Sequence, residues 1–434
     1  MKRALLTFLA VLLSIPQAIV IFSASVRAQE RAFALQEIIS IGKANNGDLT
    51  ALREEKGIAD AGRTRAGLYA NPTLDVEGGT GAWTGSQSEN RLAFGISQEL
   101  LTSGKRGKRL AVADAELQKF ANRIADAERL FLQGVKTAFH DLHLAEGRLG
   151  LAKQSYVLND RLFQVTTQRF AAGEIAQLDV NLARVERARS EGMINDAERE
   201  RLPAHQRLLS LMGLPPSEQL NIALFQQEDQ PVADLIRIKA LALQKRSDLR
   251  FFGAERSKTE AELALARAEQ YPNVTIGVGV SREWAKTSLG GMEESNTDTL
   301  VGLKLSVPIP LFDRNQAGIE EARARKNSAD IRERYLRQNI EREVEGAYAR
   351  WVAAEKTLKI YAGDVMPQLT ENVKLIEAAY RLGEVGISTV IAEQKKFIET
   401  SEAYLLALYN RNIAHAMLEA AAGLEWNELN GEIK

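Results

Sequence analysis

The 434-residue sequence has no cysteine, so disulfides, thiolate nucleophiles and cysteine-ligated metal sites are excluded. Proline is scarce at 10 residues and aromatic content is 6%, a composition that favours long uninterrupted helices. There is no charge excess either. Lys+Arg total 56 against 57 Asp+Glu, a net −1, whereas a dedicated nucleic-acid binder would be clearly basic. Catalytic patterns are missing: there is no G-x-S-x-G and no H-E-x-x-H. There is no phosphate loop, because Gly104-Lys105 is followed by Arg106 and not by Ser or Thr. The chain thus reads as a non-enzyme without a cofactor. An apolar fraction of 45% still leaves ample material for packed cores.

One long apolar run is present, Ala4 to Phe22, after a basic Met1-Lys2-Arg3 start. Small residues from Ser23 to Ala28 follow it, the pattern of a secretory signal peptide over 1–28 cut after Ala28. Left uncut, the run would be a membrane anchor. No later stretch approaches a membrane-spanning helix.

The remainder repeats itself. Asp48-Leu49 and Pro72 recur 200 residues later as Asp248-Leu249 and Pro272, with Glu55, Ala61 and Ala66 returning as Glu255, Ala261 and Ala266. Phe170–Ala176 recurs 210 residues later as Tyr380–Gly386, as does Gly213-Leu214 as Gly423-Leu424. The two halves therefore share one plan. The slip lies between Pro272 and Pro308 and reads as an insertion in a loop. The division expected is 29–213, a turn-rich linker at 214–231, and 232–434.

Each half carries two stretches of strict alternation. Leu74-Val76 and Leu92-Phe94-Ile96 alternate with polar or small residues in the first half, expected as a hairpin over about 73–100. Val274–Val280 and Val301–Val307 do so in the second, over about 273–308. Each strand is long enough to cross an outer membrane when tilted. Tyr69 and Tyr271 before the first strand of each half, with Trp83 and Trp284 after it, suit the two aromatic girdles of a bilayer. Four strands cannot close a spanning barrel, since known ones start at about eight, and lipid does not tolerate open sheet edges. Two copies would give a filled barrel and three a pore, so a homo-oligomer is expected.

The rest reads as helix. Residues 105–172 contain no proline and have apolar positions at three- and four-residue steps, roughly 100 Å of helix. Residues 315–382 match them but contain Pro367, which should bend or break the rod. Shorter helices are expected at about 35–68, 174–212, 232–270 and 384–422.

The whole mature chain resembles the TolC-like outer-membrane factor family. The segments that carry this are Asn71-Pro72-Thr73-Leu74, Ser97-Gln98-Glu99-Leu100 with Gly104-Lys105-Arg106, Arg246-Ser247-Asp248-Leu249, Tyr271-Pro272-Asn273-Val274, and Pro308 through Gln316. The last segment and Gln98-Glu99-Leu100 are most like the heavy-metal, CzcC-type branch. The resemblance implies a mainly α fold with membrane β, in which tandem repeats of helix, β-hairpin, long helix and helix form a homotrimer. That trimer has a 12-stranded outer-membrane β-barrel and a long periplasmic α-helical barrel. It also implies a passive exit duct for heavy-metal cations, meeting a periplasmic adaptor and an inner-membrane, proton-driven RND-type pump. Drugs or secreted polypeptide are alternative cargoes. A periplasmic adaptor or a plain coiled-coil protein are alternatives of another class.

Gly173 and Gly383 each end a long helix, where positive φ is cheap. The resemblance makes these turns the periplasmic tip, with Arg169, Gly173, Glu174, Ile175, Leu178, Asp179, Arg381, Gly383, Glu384 and Val385 as adaptor-contact candidates. It places the tunnel constriction at Thr389 and Ala392, positions commonly acidic in the family, with Glu393 the nearest acid here. His140 and His143 share a helix face with Asp141 and could touch a metal, but read better as a solvated face. Lys105, Arg106, Lys108 and Arg109 read as a solvated cluster at the membrane interface. Asp313 is the expected N-cap of the second long helix.

Overall fold

The structure is a computed structural model that describes residues 32–85, 89–223, 234–289, 292–426 and 428. The expected signal peptide, 1–28, and the part of the expected linker from 224 onward lie outside the described residues. In chain order the elements are β1 (Ala32–Phe33), α1 (Leu35–Asn45), α2 (Gly47–Glu54), α3 (Lys56–Gly67), β2 (Thr73–Thr80), β3 (Asn90–Leu100), α4 (Lys105–Ala171) and α5 (Gln177–Met212). There follow β4 (Asn221–Ile222), α6 (Leu235–Lys245), α7 (Ser247–Glu269), β5 (Val274–Leu289), β6 (Met292–Ser306), α8 (Gln316–Ile360), a π-helical turn (Tyr361–Val365), α9 (Met366–Leu382) and α10 (Ile387–Ala422). Among the described residues no helix is long and apolar enough to cross a membrane.

The helices pack as two similar bundles. Ile38 of α1, Phe139 and Leu142 of α4, and Leu208 and Met212 of α5 form one core. Ile238 of α6, Ile340, Val344 and Trp351 of α8, and Leu418 and Ala422 of α10 form its counterpart. Full burial of side chains this size contributes about 1.5–3 kcal/mol each. The expected helix over 35–68 is three pieces. Asn46, extended at φ −62° and ψ 121°, interrupts it, and its Oδ1 accepts a hydrogen bond from Leu49 N at 3.1 Å, capping α2. In the second half Arg246 occupies the matching joint between α6 and α7.

The 67 residues of α4 run unbroken. The matching 316–382 path is broken where Pro367 predicted, and the form of the break explains itself. Buried positions step 340, 344, 347, 351 upstream and 369, 373, 380 downstream, with the half-buried Ile376 between the last two. Continuing the upstream rhythm would reach 368, 372, 375 and 379, so the sequence carries one residue too many. The wide turn at Tyr361–Val365 absorbs it, and Pro367 sits in the first turn of α9, where its missing N–H costs nothing. Leu375, left off the corrected stripe, is 60% exposed.

The four long strands form one antiparallel sheet in the order β2-β3-β5-β6. The slip between the repeats is not a loop insertion. It lengthens β5 and β6 to 16 and 15 residues against 8 and 11 for β2 and β3, and five β5–β6 rungs, Ala285 to Leu289, continue beyond the last β3 partner. A short parallel pairing of β1 with β4 ties the start of the described chain to the linker after α5.

Candidate functional site

Three regions bear on function: the sheet, the far helical tip and the buried polar groups between them.

One face of the sheet is apolar and exposed: Leu74 is 71% exposed, Leu303 86% and Leu305 71%, with Val76, Phe94, Ile96, Val278 and Val301 beside them. The opposite face is concave and lined by Asp75, Glu77, Arg91, Ser97, Ser281 and Lys304 with glycines between. Ser97 Oγ donates to Asp75 Oδ2 at 3.1 Å, and Arg91 pairs with Glu283 at 3.3 Å across this wet face. A sheet that is apolar outside and polar inside its curve is built for lipid on one side and water on the other.

The joint below the sheet corrects the reading of the basic cluster. Lys105 is buried, and its ammonium donates to Tyr271 O at 2.5 Å and to Asn273 Oδ1 at 2.6 Å, clasping the first repeat to the second. Arg106 donates to Gly67 O at 2.7 Å and stacks on Tyr69. Asp313 is not the N-cap of α8. Asn315 holds that place, in the left-handed region at φ 58°, and Asp313 Oδ1 accepts from its N–H at 2.8 Å.

At the opposite end the turns at Gly173 and Gly383 are brought together. Both glycines have positive φ, +78° and +80°, the conformation that closes a helix and that side chains resist. Arg169 Nη1 donates to Tyr380 O at 2.9 Å, its guanidinium lies 5.1 Å from the Tyr380 ring centroid, and its Nε pairs with Glu174 at 2.9 Å. The buried Thr166 hydroxyl meets the Tyr380 hydroxyl at 3.1 Å. Gly173, Glu174, Leu178, Arg381, Gly383 and Glu384 are exposed, while Ile175, Asp179 and Val385 are half-buried. Tyr380 and Thr166 were missed by sequence reasoning, although Tyr380 is the repeat partner of Phe170. Thr389 and Ala392 are exposed on α10 and Glu393 is half-buried beside them, one to two turns from the tip.

The polar groups between the bundles include a correction. His140 is not on a solvated face; it is 4% exposed, edge-on to Phe139. Burial, helped by His143 and Lys136, pushes its pKa down to about 3. Burial likewise pushes His415 down to about 3, aided by Lys136 and Arg411. Both are neutral at ordinary pH. Beside them Lys136 Nζ donates to Glu419 Oε2 at 2.7 Å, and Trp426 N donates to Glu419 Oε1 at 2.7 Å. Burial raises the Glu419 pKa in spite of these donors. At the α6–α7 joint Arg246 grips Asp248 through two hydrogen bonds of 3.0 and 2.6 Å and reaches Glu343 at 2.5 Å. Burial alone would push the Asp248 carboxyl up, but Arg246 outweighs it and holds the pKa low. Among the described residues no group of three His, Cys, Asp or Glu is placed to hold a metal ion.

A two-faced curved sheet continued by rods of roughly 100 Å is the architecture of the outer-membrane channel-tunnels. The chain belongs to the outer membrane efflux protein family, which it matches over residues 39–214 and 240–424. It is accordingly an outer-membrane protein with a large periplasmic portion. Among curated relatives it is 23% identical over 375 residues to the cobalt-zinc-cadmium resistance protein CzcC of Cupriavidus metallidurans, covering 86% of this chain and 85% of that one. It is 22% identical over 408 residues to the cation efflux system protein CusC of Escherichia coli K12, covering 90% and 86%. Among solved structures the fold resembles CusC, with TM-score 0.70, 19% identity and 90% and 92% coverage. It also resembles the open state of the Neisseria gonorrhoeae MtrE outer membrane channel, with TM-score 0.71, 19% identity and 90% and 89% coverage.

Proposed function

We propose that this chain is the passive exit duct of a tripartite efflux system. Three copies pool their strands into a 12-stranded barrel, and their helices form the periplasmic tunnel. A periplasmic adaptor docks at the tip around Gly173 and Gly383, and an inner-membrane RND-type pump supplies the energy. The cargo is heavy-metal cations. The functional unit of the chain is the pair of repeats at 29–213 and 232–434 about the linker, after removal of a signal peptide at 1–28. Thr389, Ala392 and Glu393 flank the tunnel entrance, where the lack of acids at the first two leaves Glu393 to supply any carboxylate ring.

The observation that carries this reading is the sheet. Its exposed face is a continuous apolar band, its concave face is polar, and its two edges are unpaired. The cargo rests on the metal-resistance relatives alone. The test is zinc, cobalt and cadmium tolerance of a deletion strain beside a drug panel, with fractionation of the tagged protein. Metal sensitivity with the protein in the outer membrane is expected. Drug sensitivity without metal sensitivity would keep the duct and overturn the cargo, and a periplasmic soluble protein would overturn the duct.

A further inference from the structure

The sheet ends in two unpaired edges, β2 and β6. The direction of their hydrogen-bonding groups follows from the middle of the sheet. A Cβ on Gly279 would stand 3.0 Å from Phe94 O, and one on Gly277 3.1 Å from Ile96 O, so even-numbered β3 residues turn their main chain toward β5. In an antiparallel ladder the N–H and C=O of one residue point the same way and alternate along the strand. Even β5 residues therefore face β3, and odd ones face β6 through the pairs Gly277–Lys304 and Gly279–Gly302. The outward donors of β6 are consequently its odd residues, Val301, Leu303 and Leu305. Continued past Ser306, that parity falls on Val307 and Ile309, and the extended run ends where Leu311 N turns back to donate to Ile309 O at 2.9 Å. Pro308 and Pro310 hold the inward parity, where β5 has no strand residue left to receive an N–H, because it begins at Val274. Two prolines in an edge segment thus remove no outward donor. On β2 the same alternation leaves Leu74, Val76, Gly78 and Thr80 facing outward.

The internal duplication fixes the register. Pro72 and Pro272 are 200 residues apart, and the left-handed residues Gly104 and Asn315, each immediately before a long helix, are 211 apart. These two offsets convert the β2–β3 pairs Asp75–Gly95 and Val76–Phe94 into Thr275–Ser306 and Ile276–Leu305, which are observed β5–β6 pairs. Applied to the β3–β5 seam, they convert Gln98–Ile276 into Ile309–Val76 and Phe94–Val280 into Leu305–Thr80.

We propose that β6, prolonged through Ile309, pairs antiparallel with β2 of a second copy of this chain, with Leu305 beside Thr80 and Ile309 beside Val76 of that copy. This rests on the barrel reading above and adds its residue-level seam. The occupant has to be another copy, because one copy's four strands cannot curl shut on themselves. Ile309, 77% exposed in the isolated chain, then meets Val76, 57% exposed, on the lipid side of the joint.

The cysteine-free sequence makes the test direct. In this register Ser306 stands opposite Gly79 of the second copy on the wet face, in a non-hydrogen-bonded pair close enough for a disulfide. Three double variants are compared in isolated outer membranes under mild oxidation and non-reducing electrophoresis: S306C with G79C, with E77C, and with D75C. A93C with S281C, neighbours within one copy, is the positive control. The expected result is copy-to-copy linkage in the G79C variant at about fivefold or more the yield of the other two. Preferential linkage through E77C or D75C would overturn the register while leaving the barrel reading intact. If the control links and none of the three seam pairs does, the closure of the barrel by these edges is itself wrong.

Discussion

Replacing His415 by Phe should flatten the acid side of the stability profile. The imidazole lies 4.1 Å from the Trp426 ring centroid, its Nε2 has no hydrogen-bond partner among the described residues, and its Nδ1 stands 3.7 Å from Glu419 Oε2, beyond hydrogen-bond reach, so a phenyl ring sacrifices little. With a folded pKa of about 3, His415 stays neutral in the native protein while the unfolded chain takes up a proton below about pH 6.5. In the window between these values the unfolded state binds more protons, so stability falls as pH falls, and it levels off only below the folded value. The slope is about 1.36 kcal/mol per pH unit, so each such histidine forfeits about 2 kcal/mol between pH 6.5 and pH 5. His140, with the same folded pKa of about 3, adds a like amount, and burial shifts His143 and His205 in the same direction. Thermal unfolding of the purified protein in detergent, followed by circular dichroism across that range, should show the variant losing about 2 kcal/mol less than wild type. Parallel pH profiles for the two proteins would refute the assignment of a buried neutral His415.

Four further outcomes are expected. Lys136→Met leaves Glu419 without its cation inside the bundle and should cost about 3–5 kcal/mol, most of it recovered in a K136M/E419L double variant; denaturant titration of both reads this. Tyr380→Phe removes the bond to Thr166 at the tip and should cost about 1 kcal/mol, visible as faster amide exchange around residues 380–387. Gly383→Val forces a branched side chain to φ +80° and should cost about 1–3 kcal/mol locally, with increased protease cleavage at the tip while the outer-membrane yield is retained. Lys105→Met strands Tyr271 O at the joint below the sheet, leaves Asn273 Oδ1 only the long bond from Thr102 N at 3.5 Å, and should lower the yield of assembled protein in outer-membrane fractions, with a cost of about 2–3 kcal/mol.

The parts of the fold that obey a period were legible. Alternation from Leu74 to Val76 and from Val274 to Val280 identified the strands, and three- and four-residue steps identified α4. What depended on distant partners was not. Lys105 looked like surface because its acceptors, Tyr271 O and Asn273, lie more than 160 residues away. His140 looked solvated because its helix carries charges all round, and only the packing of α10 across it makes the site dry. The extra residues of the second hairpin read as a loop because Ser, Thr, Asn and charged side chains extend a ladder as readily as they line a turn. Asn46 and Arg246 interrupt helices that periodicity alone joins together. At the tip, Gly173 and Gly383 were recognisable from their turn chemistry, whereas Arg169 and Tyr380 meet only through the packing of α4 against α9 and α10. The extra residue absorbed by the π-helical turn was present in the spacing from Trp351 to Leu369, but only the buried stripe on both sides gives that spacing meaning.

The open edges of the sheet have a genetic consequence. A chain that forms one segment of a ring contributes both a left and a right joint, so a copy with one damaged edge spoils every ring that it enters. Edge-damaged alleles should therefore be dominant. For the proposed ring of three copies, with equal expression of damaged and intact chains, about one ring in eight would be free of the damaged form. A chain that fails to fold at all would never enter a ring, and its allele would be recessive.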